Sequence, residues 1–186
     1  MTALVDSHCH VGEPEYDVDR GAVLERARAA GVSRMIVAAA GGTVETNRRA
    51  LEIAAREPDC YAVVGVHPHD ARLVDEPLLE QIGKWARAPR VVAIGETGLD
   101  FHYDHSPHDR QLDAFRRFVG LGREAAVPIV VHSRAAAEET ATVLREERAG
   151  AGVMHCFTYG PQEARRFLDL GLYISFSGIV TFRNAE

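Results

Sequence analysis

The chain has 186 residues, 46% of them hydrophobic and 26% charged, so it can bury its own core and is predicted to form one domain. Its 21 basic and 27 acidic residues give a net charge of -6, which argues against a broad basic surface for long nucleic-acid duplexes. No apolar run reaches the length of a membrane span, no secretory signal is evident, and the three cysteines lack paired spacing. We therefore expect a soluble, cytoplasmic protein.

Apolar runs alternate with amphipathic stretches along the whole chain. The runs predict strands that begin near residues 4, 35, 61, 91, 128, 152 and 172. Helical periodicity predicts helices over residues 19–30, 46–56, 77–86, 135–147 and 161–170, and a further helix that Ser106 caps. One helix per strand is typical of a parallel sheet. Seven such strands without a glycine-rich phosphate motif predict an α/β fold, a (β/α)8 barrel that lacks its last β/α unit.

The first and third predicted strands each end in a pair of histidines. Residues two apart in a strand face the same side, so His8 and His10 project together and can chelate a metal. The alternative is that both are merely polar residues at a strand terminus. His67 and His69 follow the third strand, and we interpret them as substrate contacts or as residues that orient the ligands.

The next three strands each end in a side chain that can bind a metal. These residues are Glu96, His132 and His155. Because the carboxyl ends of barrel strands share one face, they should meet His8 and His10 there. Four imidazoles and a carboxylate on one rim predict a metal centre.

Glu96 is predicted to lie in a strand that is buried on both faces, where an ionised carboxylate needs a cationic partner. One candidate partner is Arg134. The other is a pair of metal ions bridged by Glu96, with His8 and His10 on one side and His132 and His155 on the other. A single ion remains an alternative, because a sequence does not count ions.

Arg134 lies two residues after His132 and should point the same way, where its planar guanidinium suits a phosphate or carboxylate of the substrate. A structural salt bridge is the alternative for this residue. The histidine-rich segment 101–109 is expected to form a pocket wall rather than a separate metal site. No Gly-x-Ser-x-Gly motif occurs, so hydrolysis by a metal-activated water is the economical mechanism.

Taken together, these motifs resemble the TatD family of metal-dependent deoxyribonucleases, within the amidohydrolase-like barrels. The matching segments occur in the family's order and span nearly the whole chain: residues 6–10, 65–69, 95–100, 131–134, 155–157 and 174–182. The resemblance implies a (β/α)8 barrel that hydrolyses DNA phosphodiesters, often from a 3′ end, and sometimes acts on RNA. It implies five metal ligands, which are His8, His10, Glu96, His132 and His155.

The resemblance also implies the cofactors and the partner. We expect two divalent ions, and histidine-rich ligation favours zinc or manganese over magnesium. Glu96 is then catalytic as well as a ligand, and the partner is DNA. From the negative net charge we expect contact with single-stranded ends, and we expect a monomer. Family members continue into an eighth strand with a ligand aspartate, so residues 1–186 are expected to form one hydrolase barrel domain that is incomplete at its C-terminus.

Two other functions fit the same residues. An amidohydrolase acting on a small-molecule or aminoacyl ester or amide would use the same metal centre. A metal-binding fragment without catalysis would follow from the absence of the aspartate ligand.

Overall fold

The computed structural model describes residues 3–39, 41–183 and 185. Its seven strands are all parallel and pair in the order in which they occur along the chain. They are β1 (Leu4–Cys9), β2 (Val32–Ala38), β3 (Cys60–Val64), β4 (Val91–Asp100), β5 (Ile129–Arg134), β6 (Gly152–Met154) and β7 (Leu172–Ile174).

An α-helix follows each of the first six strands. The helices are α1 (Arg20–Ala29), α2 (Val44–Arg56), α3 (Glu76–Trp85), α4 (His108–Ala125), α5 (Ala137–Glu146) and α6 (Pro161–Asp169). Short 3-10 helices lie at Pro14–Tyr16, Pro68–Leu73 and Gly178–Thr181. The predicted α/β architecture of seven parallel strands alternating with helices is confirmed. Among the described residues, no helix combines the length and hydropathy that crossing a membrane requires.

The central strands are buried on both faces. On one face, residues such as Val37 and Val131 join the large core that the helices cover. On the other face, Ala38, Val63 and Val130 pack with one another in a second, smaller cluster. This double burial explains why these strands appear in the sequence as continuous apolar runs. It leaves the carboxyl ends of the strands as the place where polar side chains can gather.

Strand β4 is longer than predicted. It continues to Asp100, so Glu96 lies within the strand and not at its end. Gly98 makes this extension possible: it pairs with His132 of β5 at a φ of +140°, and a Cβ there would lie 1.9 Å from the His132 carbonyl oxygen. Only glycine permits so close a backbone approach. The extension carries a second acidic side chain, Asp100, to the same rim.

The predicted cap of α4 is wrong. The helix begins at His108 with Pro107 at the N-cap position, and no side chain caps it. Ser106 is fully buried, and its hydroxyl donates to the His69 carbonyl at 2.7 Å and accepts from the Arg72 N–H at 3.2 Å. The Ser106 hydroxyl therefore bonds to these backbone groups and not to the first turn of α4. In this way Ser106 holds the segment before α4 against the 3-10 helix Pro68–Leu73.

Asn47 connects α2 to the end of β3, just before His67. Its side chain is fully buried, donates to the Gly65 carbonyl at 2.9 Å and accepts from the Gly65 N–H at 2.8 Å. Asn47→Ala leaves both backbone groups without a partner and should lower the free energy of unfolding by about 2–3 kcal/mol. Urea denaturation measures this. Arg48→Ala, an exposed change on the same helix, is the control; equal stability of the two variants would contradict the prediction.

Candidate metal centre

The buried carboxylate of Glu96 lies at the middle of the site, with only 5% of the residue exposed. Its Oε2 atom lies 3.3 Å from His8 Nε2 and 3.9 Å from His10 Nε2. Its Oε1 atom lies 3.2 Å from His132 Nδ1 and 3.9 Å from His67 Nε2. The two oxygens therefore face two separate groups of imidazoles, as expected for a carboxylate between two cation sites.

His155 completes the group on the Oε2 side. It follows β6, and its ring stacks on that of His8 with the centroids 3.6 Å apart, because the curl of the sheet brings β6 back towards β1. The potential ligand atoms lie within 4.8 Å of one another in two sets, one of His8, Glu96 and His155 and one of His67, Glu96 and His132. The structure thus differs from the expected pairing of His155 with His132.

In the first group, two imidazole nitrogens and a carboxylate oxygen face the same space. His8 Nε2 lies 3.1 Å from His10 Nε2, and both nitrogens face Glu96. His10 Nδ1 lies 3.4 Å from the Ala38 carbonyl, which favours a proton on Nδ1 and leaves Nε2 free to coordinate. In the described part of the chain, His8 Nδ1 is buried and has no hydrogen-bond partner. These imidazole nitrogens and the carboxylate oxygen are ligand atoms that fit a divalent cation.

Asp100 contacts and orients the imidazoles on the Oε1 side of Glu96. It is fully buried, and its Oδ2 atom lies 3.0 Å from both His132 Nε2 and His69 Nε2. Burial alone would raise the pKa of Asp100, but the Tyr103 N–H and the two imidazoles lower that pKa to about 2. The ionised carboxylate only accepts hydrogen bonds, so His132 carries its proton on Nε2 and directs Nδ1 at Glu96. The space between these two acceptors suits a cation.

Burial and mutual contacts shift the pKa values of several ionisable groups in the site. Burial opposes ionisation of Glu96, but the surrounding imidazoles of His132, His8 and His67 outweigh burial and hold the pKa of Glu96 well below its usual value. Burial lowers the pKa of His67 to about 3 and that of His155 to about 4. His67 and His155 are therefore uncharged at neutral pH. Burial opposes the charged form of His132, but its contacts with Glu96 and Asp100 outweigh burial and raise its pKa.

His67 and His69 have different surroundings. The His69 N–H donates to His67 Nδ1 at 3.3 Å, so a neutral His67 carries its own proton on Nε2, the atom that faces the site. This makes His67 better suited to donate a hydrogen bond to a substrate oxygen than to bind a metal. Nε2 of the His69 ring instead forms a hydrogen bond with Asp100 Oδ2. A substrate contact by either residue stays a prediction.

Arg134 does not neutralise Glu96. Its Cζ atom lies 4.6 Å above the centre of the Tyr103 ring. Within residues 3–39, 41–183 and 185, no carboxylate forms an ion pair with the Arg134 guanidinium. The alternative of a structural salt bridge therefore has no support there. Among the described residues, none accepts a hydrogen bond from the guanidinium N–H groups.

Asp100 is a residue of the site to which the sequence interpretation gave no role. In a strand, every second residue faces the same side, and Asp100 follows Glu96 by four positions. This alternation would have revealed Asp100 had β4 been predicted to its full length. Gln111 was also missed: its Oε1 accepts from the Asp100 N–H at 2.7 Å, and its Nε2 donates to the Asp100 carbonyl at 3.1 Å. It fixes the backbone at Asp100.

Comparison with known proteins agrees with this geometry. The family model described as TatD related DNase matches residues 5–186. The chain belongs to the TatD family. This TatD family protein is 42% identical over 185 residues to YabD of Bacillus subtilis, which is named as an uncharacterised metal-dependent hydrolase. The match covers 98% of the chain and 72% of YabD. Membership confirms the predicted family and the class of metal-dependent hydrolase.

Two further relatives of this TatD family chain extend the comparison. The 3′-5′ ssDNA/RNA exonuclease TatD of a Rahnella species is 41% identical over 169 residues, which is 89% of the chain and 64% of that protein. The crystal structure of YJJV, a TatD homologue from Escherichia coli K12, superposes with a TM-score of 0.90 at 32% identity, covering 98% of the chain and 71% of YJJV. The chain thus spans about two thirds of these relatives' length, and its fold is that of TatD barrels.

Proposed function

We propose that this TatD family protein hydrolyses phosphodiester bonds of single-stranded DNA and removes nucleotides from a 3′ end. The observation that carries the proposal is the buried Glu96 carboxylate with imidazole groups on both of its oxygens. Such a site suits a phosphate, whose negative oxygens need cations on more than one side. The name of the Rahnella relative, a 3′-5′ ssDNA/RNA exonuclease, supports the choice of substrate.

Two divalent cations fit the donor sets. Glu96 would hold both, His8, His10 and His155 would serve the Oε2 side, and His132 would serve the Oε1 side. When bound, such ions lower the pKa of a coordinated water and offset the charge of the phosphate oxygens. Histidine-rich donors favour zinc or manganese.

The remaining side chains position the substrate. Asp100 holds the proton of His132 on Nε2, so that His132 Nδ1 carries a lone pair, which faces Glu96 Oε1 at 3.2 Å and His67 Nε2 at 3.4 Å. His67 can donate from Nε2 to a phosphate oxygen, and the guanidinium of Arg134 can donate two parallel hydrogen bonds to the same group. The roles of His67 and Arg134 are thus to bind and orient a phosphate.

The charge of the protein favours a short contact with nucleic acid. At a net charge of -6, the chain gains little from long-range attraction to a duplex. A few nucleotides at the end of a strand, held by a local cationic site, require no broad basic surface. We therefore propose single-stranded ends as the substrate and a monomer as the active form.

A substrate panel tests the proposed function. The protein is incubated with 5′-labelled single-stranded DNA, the matching RNA and duplex, a lactone and an aminoacylated nucleotide, each with Mn²⁺, Zn²⁺ or EDTA. Stepwise shortening of the labelled single strand is expected with metal. EDTA should abolish this shortening, because the proposed hydrolysis uses a metal-activated water and no side-chain nucleophile.

Three other outcomes would contradict the proposal. Turnover of the lactone or the aminoacyl ester alone would assign the site to an amidohydrolase. Shortening of a strand whose 3′ end is blocked by phosphorothioate linkages would exclude a 3′ exonuclease. Metal binding without turnover of any substrate would show a non-catalytic fragment.

A further inference from the structure

We propose that the ring of Tyr103, with the guanidinium of Arg134 on it, is a stacking platform for one nucleobase of the substrate strand. The inference rests on the proposed action on nucleic acid and adds a base-binding site beside the metal centre. Tyr103 lies in the segment 101–107 between β4 and α4.

The exposure and the neighbours of Tyr103 suit a base. The residue is 51% exposed, although burial of so large a ring would be favourable. Arg134 Cζ lies 4.6 Å from the ring centre, and the ring of His105 is parallel to within 12° at a centroid distance of 5.8 Å. Flat aromatic and guanidinium groups are the surfaces on which unpaired bases stack, without preference for one base.

Tyr103 is connected through Asp100 to His132, a predicted metal ligand. Its N–H donates to Asp100 Oδ1 at 2.9 Å, and the other oxygen of the same carboxylate lies 3.0 Å from His132 Nε2. The His69 ring lies edge-on to the Tyr103 ring at 5.7 Å. A base on Tyr103 would therefore neighbour a phosphate at the metal centre.

The segment that carries Tyr103 is held at its far end as well. Arg72 Nη1 donates to the His105 carbonyl at 3.1 Å, and the buried Gln111 side chain donates to the Ser106 carbonyl at 2.8 Å. Ser106 is bonded in turn to the His69 carbonyl. Because the segment is fixed before a ligand arrives, binding a base would order little additional chain.

Arg134 can serve the base and the phosphate of one nucleotide together. Its Cζ atom lies over the Tyr103 ring, and a guanidinium carries its N–H groups at the edge of its plane, where they can donate to a phosphate. This arrangement explains why an exposed arginine stacks on a tyrosine two residues beyond a predicted metal ligand. A purely structural pair would affect stability but not the recognition of bases.

Equilibrium binding tests the platform. The Mn²⁺-loaded protein is titrated into two fluorescent single strands of equal length, both with phosphorothioate linkages, one of thymidines and one of abasic residues. Tyr103→Ala should weaken binding of the thymidine strand about 10-fold and leave the abasic strand within about twofold. Tyr103→Phe, which keeps the ring, should bind both strands like the wild type.

Tyr173→Ala is the matched control, because Tyr173 is a 74% exposed tyrosine on β7. The platform is overturned if Tyr103→Ala binds thymidine strands like the wild type, if it weakens both strands equally, or if the wild type binds neither strand. Turnover of an unmodified strand is measured on the same samples. Cleavage without a Tyr103 effect overturns the platform alone, and base-dependent binding without cleavage overturns the nuclease function alone.

Discussion

Glu96→Gln should reduce metal-dependent hydrolysis by roughly 100- to 1000-fold or more. Glutamine has almost the same shape, but it is neutral and turns one acceptor oxygen into an NH₂ group. In this site each carboxylate oxygen faces its own group of imidazoles, Oε2 towards His8 and Oε1 towards His132. Whichever group meets the NH₂ faces a hydrogen-bond donor in place of a metal ligand, so both cations cannot be held together.

Turnover and metal content together measure this effect. Calorimetric titration with Mn²⁺ or Zn²⁺ should show at least one binding event missing in Glu96→Gln, and turnover of labelled single strands should fall in parallel. Glu25→Gln, an exposed change on α1, is the control and should behave like the wild type. Wild-type turnover by Glu96→Gln would rule out the proposed role.

The fold could be predicted because its central strands are buried on both faces. Runs such as residues 35–39 and 61–66 are apolar at every position, which distinguishes them from amphipathic helices such as α2. Their number and spacing were sufficient to indicate the parallel order. Because the ends of parallel strands share one face, the residues at these ends were predicted to form one site. The structure also brings these residues together, and they are His8, His10, Glu96, His132 and His155.

The errors in the prediction concern tertiary contacts. Gly95 and Gly98 look like strand breakers in the sequence, yet β4 continues through both of them because β5 lies close alongside. Ser106 has the sequence pattern of a helix cap, but buried backbone groups from another segment compete for its hydroxyl. The stacking of His155 on His8 depends on the curl of the whole sheet, which local patterns do not contain.

Asp100→Asn should lower metal affinity and turnover by about 10- to 100-fold, although Asp100 is not itself among the predicted ligands. The amide that replaces the carboxylate would keep one oxygen for the Tyr103 and His102 N–H groups, so its NH₂ would face His132 Nε2. That NH₂ donates, which forces the proton of His132 onto Nδ1. Since Nδ1 is the atom that faces Glu96, His132 would lose the lone pair that a cation needs. Metal titration and turnover measure the loss.

The tautomer of His132 separates this positioning role from a structural one. At a pH above the raised pKa of His132, ¹⁵N chemical shifts of its ring should report a proton on Nε2 in the wild type and on Nδ1 in Asp100→Asn. The thermal unfolding midpoint should change little, because the hydrogen bonds donated by the residue 100 N–H and by the Tyr103 N–H remain. Asp109→Asn, an exposed change in the first turn of α4, should leave tautomer and affinity unaltered. An Asp100→Asn protein that binds metal like the wild type, or that loses metal only as it unfolds, would refute the role. In the first case His132 would bind without help from Asp100, and in the second Asp100 would act only through the stability of the fold.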